Sequence, residues 1–227
     1  TFDLDDTLWE TDPVIQRAED VSHAWFEHKA PEVLAGRTQV EIAAQRREFY
    51  ATRPDISHDF SALRRAWLVH AFTQVGLPDT KIEEAFMVYW EARNQVKPFP
   101  EALNVIERLR EKRYILGTIT NGNASIEHIG LGHRFAFTVT AGDAGVMKPH
   151  PDIFHLALGK AGVAPEEAVH VGDNPHADVQ GARAVGMRTI WINPAGHPWD
   201  GEDGPAPDAT VRGVTSLESV LERWHQT

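Results

Sequence analysis

The sequence opens with Thr-Phe-Asp-Leu-Asp-Asp-Thr-Leu at residues 1–8, which sets Asp3 and Asp5 two positions apart after an apolar residue. Side chains two apart on a strand share a face, and at the end of a strand both carboxylates can converge on one cavity. Crowded carboxylates destabilise a fold unless a cation or a proton offsets their charge. An Asp-Asp-Thr segment is also typical of an ordinary turn or helix cap, so other segments have to decide between these interpretations.

The segment that follows the acidic pair has the periodicity of helices. Between residues 12 and 97, apolar residues recur at intervals of three and four in four separate runs, without a strand between them. Four consecutive amphipathic helices predict a small helical bundle. The segment Lys97-Pro98-Phe99-Pro100 ends the pattern, because proline lacks a backbone donor and disrupts a helix interior.

After Pro100, short apolar strands alternate with helices, and a long surface loop is predicted at 193–209. The strands are predicted at 114–118, 137–140, 168–171 and 189–192, and the helices at 101–112, 151–161, 176–185 and 216–224. Such alternation predicts an α/β fold with a parallel sheet and helices on both faces. Ligands bind at the carboxyl ends of the strands in such sheets, where Asp3 would lie. Because only two residues precede Asp3, we expect that part of its strand lies outside this sequence.

The bulk composition argues against several classes of function. The 227 residues include 33 acidic and 22 basic ones, and the net charge of −11 argues against nucleic acid or an anionic membrane surface as a partner. The absence of cysteine excludes a thiol nucleophile, a zinc–thiolate site and a disulfide framework. No run approaches the roughly 20 apolar residues of a membrane span. We therefore expect a cytoplasmic protein that acts on a small molecule, with its oligomeric state left open.

Three later segments carry polar residues directly after predicted strands or apolar runs. They are Thr120-Asn121-Gly122-Asn123, Met147-Lys148-Pro149 and Gly172-Asp173-Asn174-Pro175-His176-Ala177-Asp178. Each has an ordinary structural explanation on its own, as a turn, a solvated lysine or a Gly-Asp turn. Their occurrence together, in this order and at strand ends, favours one shared site over unrelated turns.

This ordered set resembles the four motifs of the haloacid dehalogenase-like hydrolase superfamily. Asp3-Leu4-Asp5-Asp6-Thr7 is similar to the first motif, Thr120 to the second, Lys148 to the third, and Gly172-Asp173 through Asp178 to the fourth. The resemblance covers nearly the whole chain and implies a Rossmann-like core at 1–11 and 98–227 with the strand order 5-4-1-2-3. It also implies that the helical bundle at 12–97 is a cap domain, that the enzyme depends on Mg²⁺, and that catalysis passes through an aspartyl-phosphate intermediate.

The resemblance assigns the nucleophile and the metal to acidic residues. Asp3 would be the nucleophile, because attack by a carboxylate divides the hydrolysis of a phosphate monoester into two easier steps. Asp3, Asp173 and the backbone carbonyl of Asp5 would hold Mg²⁺, a hard ion that prefers oxygen ligands. Asp178 would orient those ligands or a water molecule without touching the metal.

The remaining motif residues would bind the substrate and move protons. Thr120 and the backbone amide of Asn121 would donate hydrogen bonds to the phosphoryl oxygens, and Lys148 would supply a positive charge opposite the metal. Asp5 would protonate the leaving alkoxide and then take a proton from the attacking water. Arg17, on the first predicted helix, is a further candidate for substrate binding.

Asp5 favours a phosphatase over the dehalogenases of the same superfamily. The resemblance implies an aromatic residue at this position in dehalogenases, since a halide leaves without a proton, whereas an alkoxide needs one. A 2-haloacid dehalogenase is the nearest alternative enzyme. A phosphoacceptor signalling module and a non-catalytic binding protein on the same scaffold are further alternatives, because a fold alone does not decide a function.

Within the superfamily, the sequence is similar to the bacterial phosphatases of flavin mononucleotide and of the phosphorylated ribitylaminouracil intermediate of riboflavin synthesis. The likeness lies in Asp12-Pro13-Val14-Ile15, in His58-Asp59 and in the segment from Asn121 to Gly132. We therefore predict a Mg²⁺-dependent phosphomonoester hydrolase that acts on a small phosphorylated metabolite. Flavin mononucleotide or a riboflavin-pathway phosphate is the candidate substrate.

Overall fold

The computed structural model describes residues 1–199 and 204–225. The chain divides into two compact units: Thr1–Glu10 with Lys97–Thr227 forms an α/β unit, and Thr11–Val96 forms a helical unit. Within the described residues, no helix combines the length and the apolar character that crossing a membrane requires.

The helical unit, all of which the structure describes, is built from four long helices and one short one. They are α1 (Asp12–Lys29), α2 (Pro31–Leu34), α3 (Gln39–Ala51), α4 (Phe60–Gln74) and α5 (Ile82–Arg93). Side chains cap two of the helix starts: Thr38 accepts from the Glu41 N–H in a capping box, and Asp59 accepts from the Ala62 N–H. The four predicted helices are present, and the four residues of α2 are too few to show a periodicity.

The described part of the α/β unit contains the predicted helices and strands in the predicted order, together with one short helix and one short strand that were not predicted. The elements are α6 (Pro100–Glu111), β1 (Gly117–Thr120), β2 (Phe137–Thr140), α7 (Ala141–Ala144), α8 (Pro151–Ala161), β3 (Val169–Gly172), α9 (Gly181–Ala184), β4 (Arg188–Ile192), β5 (Ala209–Val211) and α10 (Leu217–His225). A π-helical segment, Pro175–Gln180, leads directly into α9. The helix predicted at 176–185 is therefore present, with a first part that is wider than an α-helix.

The sheet is parallel, and the N-terminal segment lies at its centre. Phe2 bridges to Thr118 on one side and to Val171 on the other. β1 pairs with β2, while β3 pairs with β4 and β4 with β5, all in parallel. With the N-terminal segment counted as the first strand, the spatial order is 6-5-4-1-2-3. The predicted order 5-4-1-2-3, in which 1 is the N-terminal segment and 5 is β4, is confirmed. β5 is the sixth strand of this order and forms an additional edge.

Two boundaries differ from the sequence prediction. The strand predicted at 114–118 lies at Gly117–Thr120, because the Tyr114 N–H donates to the Leu109 carbonyl (3.1 Å) at the end of α6, and pairing with the N-terminal segment begins only at Gly117. The loop predicted at 193–209 ends in β5, whose three residues are too short a run to predict. Residues 200–203 of that loop lie outside the described residues.

An apolar layer holds α8 against β1 and β2. Its fully buried members include Ile119, Val139, Phe154 and Ala157. Gly117 is needed in this layer, because a Cβ at that position would overlap the ring of Phe137. Burial of this layer fixes the plane of the sheet, so the carboxyl ends of the N-terminal segment, β1 and β3 lie along one edge.

Candidate active site

The carboxyl end of the N-terminal segment positions Asp3. The Phe2 N–H donates to the Gly117 carbonyl (2.9 Å), and the Asp3 N–H donates to the Val171 carbonyl (2.8 Å). These bonds tie the segment to both neighbouring strands. The Asp3 side chain therefore leaves the centre of the sheet at the edge where parallel sheets bind ligands, and only 7% of the residue is exposed.

The chain turns tightly after Asp3. Asp6 adopts a left-handed backbone conformation with φ of 58°, which aspartate tolerates better than most residues. The Asp6 N–H donates to the Trp9 carbonyl at 2.8 Å. Across the same turn, the Trp9 indole N–H donates to the Asp5 carboxylate at 2.9 Å. This bond orients the carboxylate of Asp5, a residue that is partly exposed.

Lys148 joins the first motif to the fourth. Its ammonium donates to the carboxylates of Asp3 and Asp178 at 2.6 Å each, and to the Ile119 carbonyl at 2.9 Å. An ammonium has three N–H donors, so three acceptors satisfy it. Lys148 is 5% exposed, and a lysine this buried needs such partners to remain charged.

The residues at the end of β1 hold Lys148 and present a hydroxyl. The side-chain amide of Asn121 donates to the Lys148 carbonyl (3.0 Å) and accepts from the Lys148 N–H (2.7 Å). The buried Thr120 hydroxyl oxygen accepts from the Gly122 N–H at 3.0 Å. Because the oxygen is the acceptor in this bond, its O–H can donate to a ligand.

Asp178 accepts from several donors at once. In addition to Lys148, the His170 ring lies 2.9 Å from its Oδ1, and the Asn174 N–H donates to its Oδ2 at 3.0 Å. Gly172 leaves the space for this carboxylate, because a Cβ at Gly172 would overlap it. The glycine at the end of β3 is thus required by the packing of Asp178.

Asp173 completes a cluster of three carboxylates. One oxygen from each of Asp3, Asp173 and Asp178 lies within 4.8 Å of the other two. The Lys148 ammonium pairs with two of the three carboxylates, so the cluster carries more negative than positive charge. Carboxylate oxygens this close together are the donors that a hard divalent cation prefers. The donor set therefore fits a divalent metal ion.

The pKa values in the cluster reflect first its burial and then the charges of neighbouring groups. Burial raises the pKa of Asp3 well above its usual range against the effect of Lys148, and the charges of Asp178 and Asp173 add to the rise. Burial, followed by the charge of Asp178, raises the pKa of Asp173 to about 6. Burial acts in the same direction on Asp178, but Lys148 and His170 outweigh it and lower its pKa well below the usual range. A cation bound among the three would favour the ionised form of each.

Sequence reasoning missed His170 and the side chain of Asn121. His170 is 1% exposed, and its ring nitrogens lie 2.9 Å from the Asp178 carboxylate and 2.9 Å from the Thr1 hydroxyl. Burial lowers the pKa of His170 to about 4, so its ring is neutral at pH 7 and donates to the carboxylate from Nε2. A histidine inside the apolar run at 168–171 has to find a buried partner, and that signal could have identified it. The Asn121 side chain offers no such signal, since its partner is 27 residues away.

The structure brings most of the predicted motif residues together. The Lys148 ammonium bonds Asp3 and Asp178, and its backbone bonds Asn121. Asp173 belongs to the carboxylate cluster, and Thr120 precedes Asn121 at the end of β1. Asp5 follows in the turn after Asp3 and is not one of the three clustered carboxylates.

Arg17 has partners within the helical unit. Its guanidinium donates to the Ala92 carbonyl (3.3 Å) and to the Gln95 carbonyl, near the end of α5. These bonds complement the carbonyl groups that a helix end leaves unpaired. They give Arg17 a structural function, and its substrate-binding function stays a prediction.

Comparison with known proteins identifies relatives for both the sequence and the fold. Residues 1–186 match the family model described as haloacid dehalogenase-like hydrolase. The 5-amino-6-(5-phospho-D-ribitylamino)uracil phosphatase YigB of Escherichia coli strain K12 is 32% identical, over 97% of this chain and 94% of its own. The phosphoserine phosphatase of Thermus thermophilus is 30% identical, over 90% of this chain and 92% of its own. The predicted resemblance to this superfamily and to its riboflavin-pathway branch is confirmed.

A solved structure shares the fold along nearly the whole length. The 2-haloacid dehalogenase from Pseudomonas syringae pv. Tomato DC3000 is 42% identical and superposes with a TM-score of 0.90, over 98% of this chain and 97% of its own. Proteins similar to this chain thus include both phosphatases and a dehalogenase.

Proposed function

Since the chain belongs to the haloacid dehalogenase-like hydrolase family, we propose that it hydrolyses phosphate monoesters of small metabolites through an aspartyl-phosphate intermediate on Asp3. The observation that carries the proposal is the Lys148 ammonium, 2.6 Å from the Asp3 carboxylate, in a cluster of three carboxylates. A carboxylate that attacks a phosphate dianion needs positive charge beside it. Lys148 supplies one such charge, and the cluster can hold a second.

In the first step, a carboxylate oxygen of Asp3 attacks phosphorus, and the bond between phosphorus and the ester oxygen breaks. The leaving alkoxide takes a proton from the Asp5 carboxyl group, so an alcohol leaves and the phosphoryl group remains on Asp3. Lys148 neutralises charge on Asp3 and on the phosphoryl group, and the Thr120 hydroxyl donates to a phosphoryl oxygen. Each donor of this kind typically contributes about 3–4 kcal/mol in the transition state.

In the second step, water attacks the phosphorus of the aspartyl phosphate. Asp5, now ionised, takes a proton from this water as the bond between phosphorus and Asp3 breaks. Inorganic phosphate leaves, which restores Asp3 as a carboxylate and Asp5 as a carboxylic acid. The Trp9 indole N–H, which donates to the Asp5 carboxylate at 2.9 Å, holds this carboxylate in position.

Asp3, Asp173 and the backbone carbonyl of Asp5 would hold Mg²⁺. Bound Mg²⁺ supplies positive charge that screens the phosphate dianion from the carboxylates. Asp178 already accepts from Lys148, His170 and the Asn174 N–H, which favours an orienting function for it rather than a direct ligand bond.

Dehalogenation of a 2-haloacid is the second candidate, because a relative with 42% identity is named for that activity. The acid at Asp5 favours the phosphatase. A halide leaves without a proton, so dehalogenation has no use for an acid at this position, whereas an alkoxide leaving group needs one.

The finer proposal concerns the leaving group. YigB is named as a phosphatase of a ribitylaminouracil phosphate, and this chain covers 94% of its length. We therefore propose flavin mononucleotide or a riboflavin-pathway phosphate as the substrate. The helical unit would serve as the cap domain that excludes water during the reaction. We propose the cytoplasm as the location of the protein.

A phosphatase screen with and without Mg²⁺ tests the proposal. Phosphate release is measured from flavin mononucleotide, sugar phosphates and nucleoside monophosphates, and chloride release is measured from 2-chloropropionate in parallel. We expect phosphate release that requires Mg²⁺, and no chloride release. Chloride release without phosphate release would establish the dehalogenase instead. Stoichiometric labelling of the protein without turnover would favour the phosphoacceptor module.

A further inference from the structure

A large cavity of the α/β unit lies beside the carboxylate cluster. Its volume is about 650 Å³, and Asp173 forms part of its wall. The residues that follow β4 and β5 form much of the remaining wall, together with Phe99. Cavities of roughly 300–1,000 Å³ bind whole organic ligands, so this one is much larger than a phosphate group requires.

One side of the cavity is aromatic. Trp191 and Trp199 pack edge to face, with ring centroids 5.4 Å apart and an interplanar angle of 80°. Both indole N–H groups are bonded already, that of Trp191 to the Asp173 carbonyl (2.7 Å) and that of Trp199 to the Gly204 carbonyl (3.0 Å). The rings therefore offer a ligand their faces and edges rather than their N–H donors. Trp191 is buried and Trp199 is partly exposed, so Trp199 is the ring available for stacking.

The loop after β4 adds a rigid polar segment to the wall. The Asn193 side chain accepts from the Gly196 and His197 N–H groups (2.9 and 3.1 Å) and donates to the His197 carbonyl (2.8 Å). Arg212 donates to the Pro194 carbonyl at 2.8 Å, and its guanidinium packs where a Cβ on Gly196 would lie. Because a guanidinium has five N–H donors, Arg212 can keep this bond and still donate to a ligand.

A buried hydroxyl on the same wall lacks a hydrogen-bond partner among the described residues. Thr7 lines the cavity and is 1% exposed, and its Oγ1 has no hydrogen-bond partner within residues 1–199 and 204–225. Leaving a buried hydroxyl unpaired carries a free-energy cost. A bound molecule with a polar atom at this position would offset that cost. The cavity is therefore suited to a ligand with polar atoms on its edge.

The charge of the wall limits the chemistry of the ligand. Among the described residues, the lining includes four carboxyl groups and one guanidinium: Asp6, Glu10, Glu101, Asp173 and Arg212. This excess of negative charge disfavours an anionic leaving group. A neutral flat ring with polar edge atoms suits the indole face, the guanidinium and the Thr7 hydroxyl at the same time.

We propose that this cavity binds the leaving group of the substrate, and that this group is a neutral planar nitrogen heterocycle stacked on Trp199, with Arg212 donating to its edge. The proposal rests on the proposed function, and it is tied to the site by Asp173, which belongs both to the carboxylate cluster and to the wall of the cavity. Recognition of the ring is thereby assigned to the loops after β4 and β5 of the α/β unit.

Flavin mononucleotide and ribitol 5-phosphate test the proposal as a matched pair, since ribitol 5-phosphate carries a hydroxyl where flavin mononucleotide carries its ring. The measured quantity is the ratio of kcat/KM for flavin mononucleotide to kcat/KM for ribitol 5-phosphate. Stacking of a base on an aromatic side chain contributes about 1–3 kcal/mol, so Trp199→Ala should lower this ratio about tenfold or more, mainly through KM. Trp199→Phe should keep most of the ratio, and Arg212→Gln should lower it several-fold.

Trp224→Ala and Arg188→Gln are the matched controls, because both residues lie in the α/β unit and neither lines the cavity. Both should leave the ratio unchanged, and circular dichroism checks the fold of every variant. An unchanged ratio in folded Trp199→Ala and Arg212→Gln would overturn the inference and leave the phosphatase assignment standing. If Trp199→Ala does not fold, the kcat/KM ratios of Arg212→Gln and Trp199→Phe decide whether the cavity binds the ring.

Two other outcomes separate the inference from the function on which it rests. If the wild-type protein prefers phosphoethanolamine to both esters, and Trp199→Ala removes this preference, the cavity takes a cationic group and the inference is wrong. If the wild-type protein releases phosphate from no monoester, the proposed function itself fails.

Discussion

Each of the two units buries a cluster of charges, and the two clusters have opposite compositions. In the helical unit, the carboxylate of Glu19 lies between the guanidinium groups of Arg46 and Arg64, at 2.8 and 2.7 Å. In the α/β unit, the ammonium of Lys148 lies between the carboxylates of Asp3 and Asp178. The first cluster has an excess of positive charge, and the second has an excess of negative charge.

The protein surrounds the first excess with groups of its own that stabilise positive charge. The Arg64 guanidinium lies over the Tyr89 ring, 3.4 Å from its centroid, and donates to the Ser22 hydroxyl at 3.0 Å. A guanidinium is delocalised, stays ionised and stacks on aromatic faces, so it tolerates such a site. The second excess is concentrated on carboxylates, and burial raises the pKa values of Asp3 and Asp173.

This difference separates a structural cluster from a functional one. Burial of charged groups does not mark a site by itself, because a cluster with satisfied charges can simply hold helices together. A cluster with charge that no protein group offsets is suited to a ligand of the opposite sign. The Glu19 cluster is of the first kind and the Asp3 cluster is of the second kind.

Asp3→Asn should have the largest effect. Loss of the nucleophile should lower kcat/KM for phosphate release by at least about 10⁴-fold, as loss of a catalytic nucleophile does in other hydrolases. The substitution leaves Lys148 paired with Asp178 and removes one crowded carboxylate. We therefore expect the metal-free variant to be at least as stable as the wild-type protein, with stability measured by urea denaturation in EDTA.

Asp152→Asn is the control for this variant, since Asp152 is exposed in the first turn of α8. Asp152→Asn should leave both kcat/KM for phosphate release and the stability in urea unchanged. Retained turnover in Asp3→Asn would refute the catalytic assignment. A loss of stability as large as that of a broken buried ion pair would show instead that the Asp3 cluster is structural, and the comparison between the two units would fail.

Glu19→Gln should have the opposite effect on stability. The substitution leaves the buried Arg64 and the half-buried Arg46 without their carboxylate, and breaking a buried pair typically costs about 3–5 kcal/mol. Glu83→Gln is the matched control, because Glu83 also pairs with an arginine, Arg65, but their side chains are 62% and 41% exposed. Loss of that exposed pair should cost less than about 1 kcal/mol. Equal losses in urea denaturation would contradict the structural function of the Glu19 cluster.

Local patterns made much of the fold and the site predictable. The strand at 137–140 lies where its apolar alternation indicates, and the helix predicted at 151–161 is present as α8. The motif residues were predictable as a group because each follows a strand or an apolar run, and parallel strands bring their carboxyl ends to one edge. The predicted strand order needed only β5 as an addition.

Contacts between distant elements were not predictable in the same way. Arg64 pairs with Glu19, which is 45 residues away in the sequence, and Asn121 bonds to the backbone of Lys148, which is 27 residues away. Such partners depend on how elements pack in three dimensions, and the sequence pattern of either element contains no sign of the other. The cavity beside Trp199 was missed for the same reason, since it combines residues 7, 173, 199 and 212.

His170→Phe tests whether the Asp3 cluster depends on groups that hold its carboxylates in place. The histidine donates to Asp178, which in turn accepts from Lys148. Loss of a group that orients metal-site residues typically costs about 10–100-fold in activity or metal affinity. We expect a fall of this size in kcat with KM little changed, and partial recovery in His170→Gln, which keeps a donor. A stability loss without any change in kcat would assign His170 to the fold alone.

The pH dependence of stability should reveal the smallest effect, in the Glu19 cluster. Burial alone would raise the pKa of Glu19, but Arg64 and Arg46 outweigh burial and lower the pKa below its usual value of 4.5. The unfolded state then binds the proton more tightly than the folded state. Ionised Glu19 therefore contributes its full stabilisation above the unfolded pKa and loses it as the pH falls through the lower, folded pKa.

The difference in unfolding free energy between the wild-type protein and Glu19→Gln isolates this contribution, because every other carboxyl group is common to both. We expect the difference to stay constant from neutral pH down to about pH 5 and to shrink at lower pH. Urea denaturation at a series of pH values measures it. If the difference stays constant at acid pH as well, neutral hydrogen bonds hold Glu19. The difference in charge between the two clusters would then no longer distinguish a functional cluster from a structural one.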